Sequence, residues 1–396
     1  MKKLIIALLL LAMLLLAFAC GVISDDVDEQ DQIIIGVPTY NIADAQVKMF
    51  KDYLDTYIRG CFDGVTFIYS ESITNSSELM DFLELCAGQG AEGIMAFISY
   101  DLAAEVDFCA QNSMYYIRPA GTTTDAEFAS VADNPYYVGE IGPGAAVEYD
   151  SGVKMTEALA DPEAGHKYIV LSGGACIGNE MHRLRTLAIL ETLEKIYGVT
   201  FDEPAEALAV ADETTVVQAG DLQVAVCPGY VWRSPADAAV AALIDSNEYD
   251  VMLATIPVTV LLSDLSDAGI RCGAIDCFSE ENYYAFKDGT LSYLAGKYSS
   301  EIGPGFAALY NAITGNAALY RPDGHAFRLE QGFWTAASFD EYEEKYALAA
   351  SLAVNAYDYD DLYSVVKALR PEADFADFAA LVQAYDYDSC RARRGE

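Results

Sequence analysis

Apolar runs of strand length alternate with amphipathic stretches through most of this chain. Ile33 to Val37 is a continuous apolar run, the pattern of a strand buried on both faces. Ala43 to Ile58 follows with helical periodicity and places Val47, Phe50, Leu54 and Tyr57 on one face. The alternation continues. Val65 to Tyr69, Gly93 to Ile98, Met114 to Ile117 and Tyr136 to Val138 read as strands, and Glu78 to Ala87 and Leu102 to Ala110 as helices. Repeated βα units of this length predict a parallel sheet with right-handed crossovers.

The pattern then restarts. Ala145 to Leu159 reads as a helix, Tyr168 to Leu171 as a strand, Gly173-Gly174 as a turn and Met181 to Tyr197 as a long helix. Ala207 to Val210 and Gln223 to Val226 read as strands, Pro235 to Ile244 as a helix, Val251 to Ala254 as a buried strand and Ser263 to Asp267 as a short helix. Ile270 to Ile275 is a further buried strand, and Asp276 stands where it should stop. Ser279 is positioned to cap a helix that runs through Phe286, with Glu280 and Glu281 favourable in its first turn. Gly289 is placed to close that helix in the left-handed conformation. Leu291 to Ala295 makes the next strand, and a Gly-Pro-Gly turn opens a helix at Phe306.

A short repeat ties the two halves together. Glu140-Ile141-Gly142-Pro143-Gly144 recurs as Glu301-Ile302-Gly303-Pro304-Gly305, each copy after a strand and before a helix. From Phe333 onward Tyr and Asp dominate, in Tyr357-Asp358-Tyr359-Asp360-Asp361 and Tyr385-Asp386-Tyr387-Asp388. These lack the spacing and distal Glu of a calcium loop. Short amphipathic helices, Leu362 to Leu369 and Phe375 to Tyr385, point to a helical cap on the rest of the chain.

The chain has 61 acidic and 23 basic residues and a net charge of −38. Such a surface repels nucleic acid and anionic lipid. A hydrophobic content of 53% excludes a disordered acidic chain and supplies core for two domains. Nine cysteines contain no Cys-x-x-Cys pair, which argues against a zinc ribbon or a redox motif. Catalytic motifs are absent as well: no nucleophile elbow, phosphate-binding loop or His-Glu-x-x-His occurs, and there are three histidines, His166, His182 and His325. No metal or cofactor is expected, and no catalytic turnover.

The order strand, carboxylate, helix, Gly-x-Leu, strand, as Gly273-Ala274-Ile275-Asp276 and Asp288-Gly289-Thr290-Leu291, resembles the type 1 periplasmic binding protein family, the sugar-binding receptors of ABC importers. The resemblance implies two parallel-sheet α/β lobes joined by three hinge segments, with a helical C-terminal extension. The expected divisions are 32–142 plus 299–329 for the first lobe, 143–298 for the second and 330–396 for the extension. It implies a cleft lined at strand C-termini by Tyr40, Asn41, Arg118 and Glu140 from the first lobe. From the second lobe it implies Arg185, Trp232, Thr255, Asp276 and Lys297. Arg185 holds the place of a ligand-clamping arginine and Trp232 that of a ring stacking on a sugar face. Arg118 stands where the family has a carboxylate, Thr255-Ile256 where it has Asn-Asp, and Lys297 where it has Gln. Three basic contacts point to an anionic ligand such as a sugar acid.

The start of the chain agrees with export. Met1-Lys2-Lys3 precedes an apolar run from Leu4 to Phe18, shorter than the roughly 20 residues of a membrane span. Residues 1–19 read as a signal peptide and 20–31 as an acidic tether. Ala19-Cys20 looks like a lipoprotein-processing site, implying a lipid on Cys20; Ala17-Phe18-Ala19 also fits ordinary cleavage. The expected protein is an extracytoplasmic receptor, lipid-anchored to the cell membrane, with a small solute and an ABC permease as partners. Alternatives are a sensing subunit that signals through a membrane kinase, or an exported enzyme.

Overall fold

The computed structural model describes residues 32–164, 167–228, 234–352 and 355–395. Two sheets organise it. The first contains β1 (Ile33–Thr39), β2 (Val65–Ser72), β3 (Gly93–Met95), β4 (Tyr115–Arg118), β5 (Tyr137–Gly142) and β12 (Phe327–Glu330), in the order β12-β5-β4-β3-β1-β2. All five pairings are parallel. The second contains β6 (Lys167–Leu171), β7 (Thr215–Ala219), β8 (Leu222–Cys227), β9 (Val251–Ala254), β10 (Arg271–Cys277), β11 (Leu291–Lys297) and β13 (Trp334–Ala336), in the order β13-β11-β10-β9-β6-β8-β7. Its centre is parallel and both edges are antiparallel. The chain is thus α/β in two lobes.

Helices cover the sheets. In the first lobe these are α1 (Ala45–Asp52), continued by a π-helical turn (Tyr53–Ile58), α2 (Ser76–Gly88), α3 (Leu102–Gln111) and α4 (Asp125–Val131). The second lobe has α5 (Ala145–Leu159), α6 (Glu180–Tyr197), α7 (Ala205–Leu208), α8 (Ser234–Asp245), α9 (Leu262–Ala268) and α10 (Glu280–Asp288). α11 (Gly303–Asn311) returns to the first lobe, and α12 (Phe339–Ala349), α13 (Tyr359–Val365), α14 (Phe375–Gln383) and α15 (Tyr387–Arg393) follow. Central strands are buried on both faces, as β9 is throughout, which is why they read as unbroken apolar runs. Ser279 caps α10 by accepting from the Asn282 amide, and Gly289 ends it at φ 88°.

Three local expectations are corrected. Ala207 to Val210 is not a strand: Ala205-Glu206-Ala207-Leu208 after Pro204 is a helical turn, built from strong helix formers. The strand lies later, as β7, in a hairpin with β8 around Gly220 at φ +60°. Gly303-Pro304-Gly305 is not a turn before a helix but the first residues of α11 itself, where a proline needs no amide partner. Trp334–Ala336, inside the stretch read as helical, pairs with β11 and extends the second sheet.

Residues 355–395 bind both lobes. On the first lobe the Tyr53 hydroxyl donates to the Tyr357 carbonyl at 3.1 Å, and the Tyr359 amide donates to the Tyr57 hydroxyl at 2.8 Å. α15 then joins the two sides: Arg391 pairs with Glu344 of α12 at 2.8 Å, and Arg393 with Asp361 of α13 at 3.2 Å. Trp334 stacks on Tyr298 with ring centroids 4.0 Å apart, and its indole donates to the Tyr385 carbonyl at 2.8 Å. The tail is therefore packed along the crossings between lobes.

Candidate functional site

In open α/β sheets ligands bind beyond the carboxyl ends of parallel strands. Tyr40 and Asn41 follow β1, Arg118 ends β4, Glu140 lies in β5, Thr255 follows β9, and Asp276 and Lys297 sit at the C-terminal ends of β10 and β11. Arg185 is on α6, two turns after the loop that follows β6. Trp232 and Cys20 lie outside the described residues.

Two groups of these residues meet across the lobes. The Tyr40 hydroxyl donates to Asp44 Oδ1 at 3.0 Å, and Asp44 caps α1 by accepting from the Gln46 and Val47 amides. Burial raises the Tyr40 pKa, and the charges of Asp44, Cys277 and Asp276 raise it further, so β1's loop faces the end of β10. Asp276 is 4% exposed and its Oδ2 accepts from Asn282 Nδ2 at 2.8 Å. Its pKa is pushed up to about 7 by burial, with Asp44 adding to the rise and the Asn282 hydrogen bond opposing it. Beside it, Lys297 Nζ donates to the Ala120 carbonyl of the first lobe at 2.5 Å and lies 3.7 Å from Glu301. Asn41 forms a local turn, its side chain accepting from the Ala43 amide at 3.0 Å.

Arg185 lies deeper in the second lobe. Its Nε donates to Glu148 Oε2 at 2.5 Å, its Nη1 donates to the Thr255 carbonyl at 2.8 Å, and the Phe333 ring lies 5.4 Å from its guanidinium carbon. The pair meets because α5 and α6 pack closely: a Cβ on Gly152 would lie 2.4 Å from the Arg185 carbonyl oxygen. The Thr255 hydroxyl donates to the Leu171 carbonyl at 3.0 Å, so that side chain fastens β9 to β6.

Glu140 and Arg118 have other surroundings. Glu140 is fully buried, accepts from Arg328 Nε at 2.6 Å, from the Tyr137 hydroxyl at 3.0 Å and from the Thr123 hydroxyl at 2.9 Å, and so ties β12 and the loop after β4 to β5. Arg118 shares the face of β4 with Tyr116. It sits near Tyr116 and Tyr137, whose hydroxyls are held by Glu105 and Glu140, and its Nε has no partner.

Asp44, Glu148, Asn282 and Phe333 were not singled out from sequence. Asp44 is visible there only as a helix cap. Glu148 carries no local signal, because its partner is 37 positions away. Among the described residues no group of His, Cys, Asp and Glu could hold a metal ion, and no helix is long and apolar enough to cross a membrane.

No family model and no curated protein matches the sequence. Solved structures do match the fold. The periplasmic binding protein component of the arabinose ABC transporter from Shewanella sp. ANA-3 is 10% identical with a TM-score of 0.55, over 79% of this chain and 94% of that one. An ABC transporter solute-binding protein from Bacillus halodurans C-125, with bound myo-inositol, is 16% identical with a TM-score of 0.55, over 80% and 98%. A Mycobacterium smegmatis protein in complex with β-D-fucofuranose is 15% identical with a TM-score of 0.52, over 89% and 98%. With its two sheets, their strand order and these likenesses, the chain has the type 1 periplasmic binding protein fold.

Proposed function

We propose that this chain is an extracytoplasmic solute receptor of an ABC importer. It binds a small polyhydroxylated ligand between its lobes, passes it to a membrane permease and performs no turnover on it. The observation that supports this most directly is the meeting of strand-end loops from both lobes: Tyr40 and Asp44 with Asp276, and Lys297 with the Ala120 carbonyl. Proteins of like fold hold L-arabinofuranose and myo-inositol, which agrees with a sugar-sized ligand.

In this reading Tyr40, Asn41, Arg118, Arg185, Thr255, Asp276 and Lys297 form the ligand set, together with Trp232, which follows β8 in the sequence. The carboxylate of Asp276 accepts ligand hydroxyls, and Arg185 and Lys297 donate. Glu140 is assigned instead to holding the first lobe together. Lipid on Cys20 would keep the receptor at the cell membrane.

A thermal-shift panel of neutral sugars, sugar acids, nucleosides and amino acids tests the reading. A ligand at about 100 times its dissociation constant stabilises the folded state by roughly 2.7 kcal/mol, a clear shift in melting temperature. Stabilisation by a sugar, abolished in Asp276→Ala, is the expected result. No stabilisation by any sugar or sugar acid, or chemical conversion of a bound compound, overturns it.

A further inference from the structure

We infer that Glu148 sets the charge preference of the ligand site, by neutralising Arg185 so that the site takes an uncharged polyhydroxylated ligand and not a sugar acid. This rests on the reading of the strand-end face as the ligand site.

An arginine without a counter-ion is a strong binder of carboxylate, because its planar fork matches two oxygens at once. Arg185 is not in that state. Its Nε is held by the Glu148 carboxylate at 2.5 Å and its Nη1 by the Thr255 carbonyl at 2.8 Å. Glu148 is 1% exposed and Arg185 7%, so water screens the pair weakly and the two charges cancel locally. Glu148 Oε1 is buried without a hydrogen-bond partner, and Nη2 of Arg185 makes no hydrogen bond among the described residues. The pair therefore keeps one acceptor and one donor. A hydroxyl group can satisfy either, since it both donates and accepts. A ligand carboxylate can satisfy only the donor, and it would bring a second negative charge to a buried one.

The neighbouring bases are matched in the same way. Lys297 lies 3.7 Å from Glu301, and Arg328 is 2.6 Å from Glu140. Both glutamates open the two copies of the Glu-Ile-Gly-Pro-Gly repeat. Arg118 makes no ion pair among the described residues, but it stands in the Tyr116 and Tyr137 surroundings together with Glu105 and Glu140. Asp44 and Asp276 add carboxyl groups at the strand ends, held by the α1 amides and by Asn282. The positive charge of Arg185, Lys297 and Arg328 is thus answered within the protein, which leaves little of it to hold a ligand carboxylate.

Calorimetric titration of matched pairs, galactose with galacturonate and glucose with glucuronate, tests this in the full chain and in Glu148→Gln. That substitution keeps the side-chain shape and releases the Arg185 charge. The wild type is expected to bind the neutral member of a pair more tightly. The variant is expected to shift the neutral-to-uronate affinity ratio toward the uronate by about tenfold or more, the size of one hydrogen bond to a charged group. A structural role alone would weaken both members equally. An unchanged ratio in Glu148→Gln, or a wild type that prefers the uronate, overturns the inference while leaving the receptor reading in place. If no member of either pair binds the wild type and no sugar or sugar acid of the thermal-shift panel stabilises it, the sugar-receptor reading falls and the inference with it. Should Glu148→Gln fail to fold, the wild-type ratio decides alone: tighter binding of the neutral members is expected, and equal or tighter binding of the uronates overturns the inference.

Discussion

Lys297 and Ala120 belong to different lobes, and the Lys297 ammonium donates to the Ala120 carbonyl at 2.5 Å. One side chain at the end of β11 is thus fastened to the backbone just past β4. A hydrogen bond from a charged group contributes about 1.5–3 kcal/mol. Lys297→Met keeps most of the apolar stem and removes the donor. Solution X-ray scattering is expected to show a larger radius of gyration for this variant than for the wild type without ligand. Identical scattering profiles would mean that the contact does not hold the lobes together.

Asp276 makes the stability depend on pH. Its folded pKa is about 7, raised by burial, so the folded state holds this proton more tightly than the unfolded chain. The stability it contributes is complete below the ordinary carboxylate range and is lost as pH rises toward 7. Glu301, also pushed up to about 7 by burial, acts in the same direction. Melting temperature should therefore fall between about pH 4 and 7 through these two groups. Asp276→Asn should flatten part of that slope and Glu301→Gln another part. Parallel slopes in wild type and both variants would contradict the assignment.

Arg185→Ala leaves the Glu148 carboxylate buried without its cation. Breaking a buried pair by removing one partner costs about 3–5 kcal/mol, and replacing both partners costs much less. Denaturant titration should show a large loss for Arg185→Ala and recovery of much of it in the Arg185→Met, Glu148→Leu double variant. Additive losses would show that the two side chains do not depend on each other.

Glu140 offers the converse. Its carboxylate is fully buried and bound by Arg328, Tyr137 and Thr123, all within the first lobe. Glu140→Ala is expected to lower stability by about 3–5 kcal/mol and leave the affinity of the folded protein for its ligand within a few-fold of wild type. Loss of binding at full stability would return Glu140 to the ligand set.

Trp334→Ala tests the packing where the tail meets the crossings. The ring is 3% exposed, stacks on Tyr298 and donates to Tyr385. Truncating a buried Trp costs about 3–5 kcal/mol, and the loss should appear in one cooperative transition if the tail and lobes unfold together. Two separated transitions would show that the tail is an independent unit.

Much of this architecture was legible because buried parallel strands write themselves as apolar runs: Val251–Ala254 and the helix Ala145–Leu159 coincide with their sequence readings. Capping chemistry was equally readable at Ser279 and Gly289. It was present but unread at α4, where Thr124 and Glu127 cap each other. The edge strand β7 was missed because an edge needs no continuous apolar run; its burial merely alternates. For the site, strand ends could be located from the order of elements, and so Tyr40, Asp276 and Lys297 could be placed together. Which acid meets which base could not. Glu148 reaches Arg185 through the approach of two helices at Gly152, and Arg328 reaches Glu140 across 188 positions. Such pairings are set by packing, and no short motif encodes them.

The reach of the tail also bears on how the chain folds. Tyr53 and Tyr357 are 304 positions apart and Tyr57 and Tyr359 302, yet both pairs are hydrogen-bonded. β12 closes the first sheet beside β5 after the whole second lobe has intervened. Contacts this distant in sequence require large loops to close before they stabilise anything, which slows folding. From beyond residue 330 the second lobe takes Phe333, β13 and α12 into its sheet and core, and the rest of it assembles from largely contiguous chain. As the polypeptide emerges from synthesis, its leading half therefore stays incomplete until residues 327–395 arrive, and the lobe that is made first is finished last.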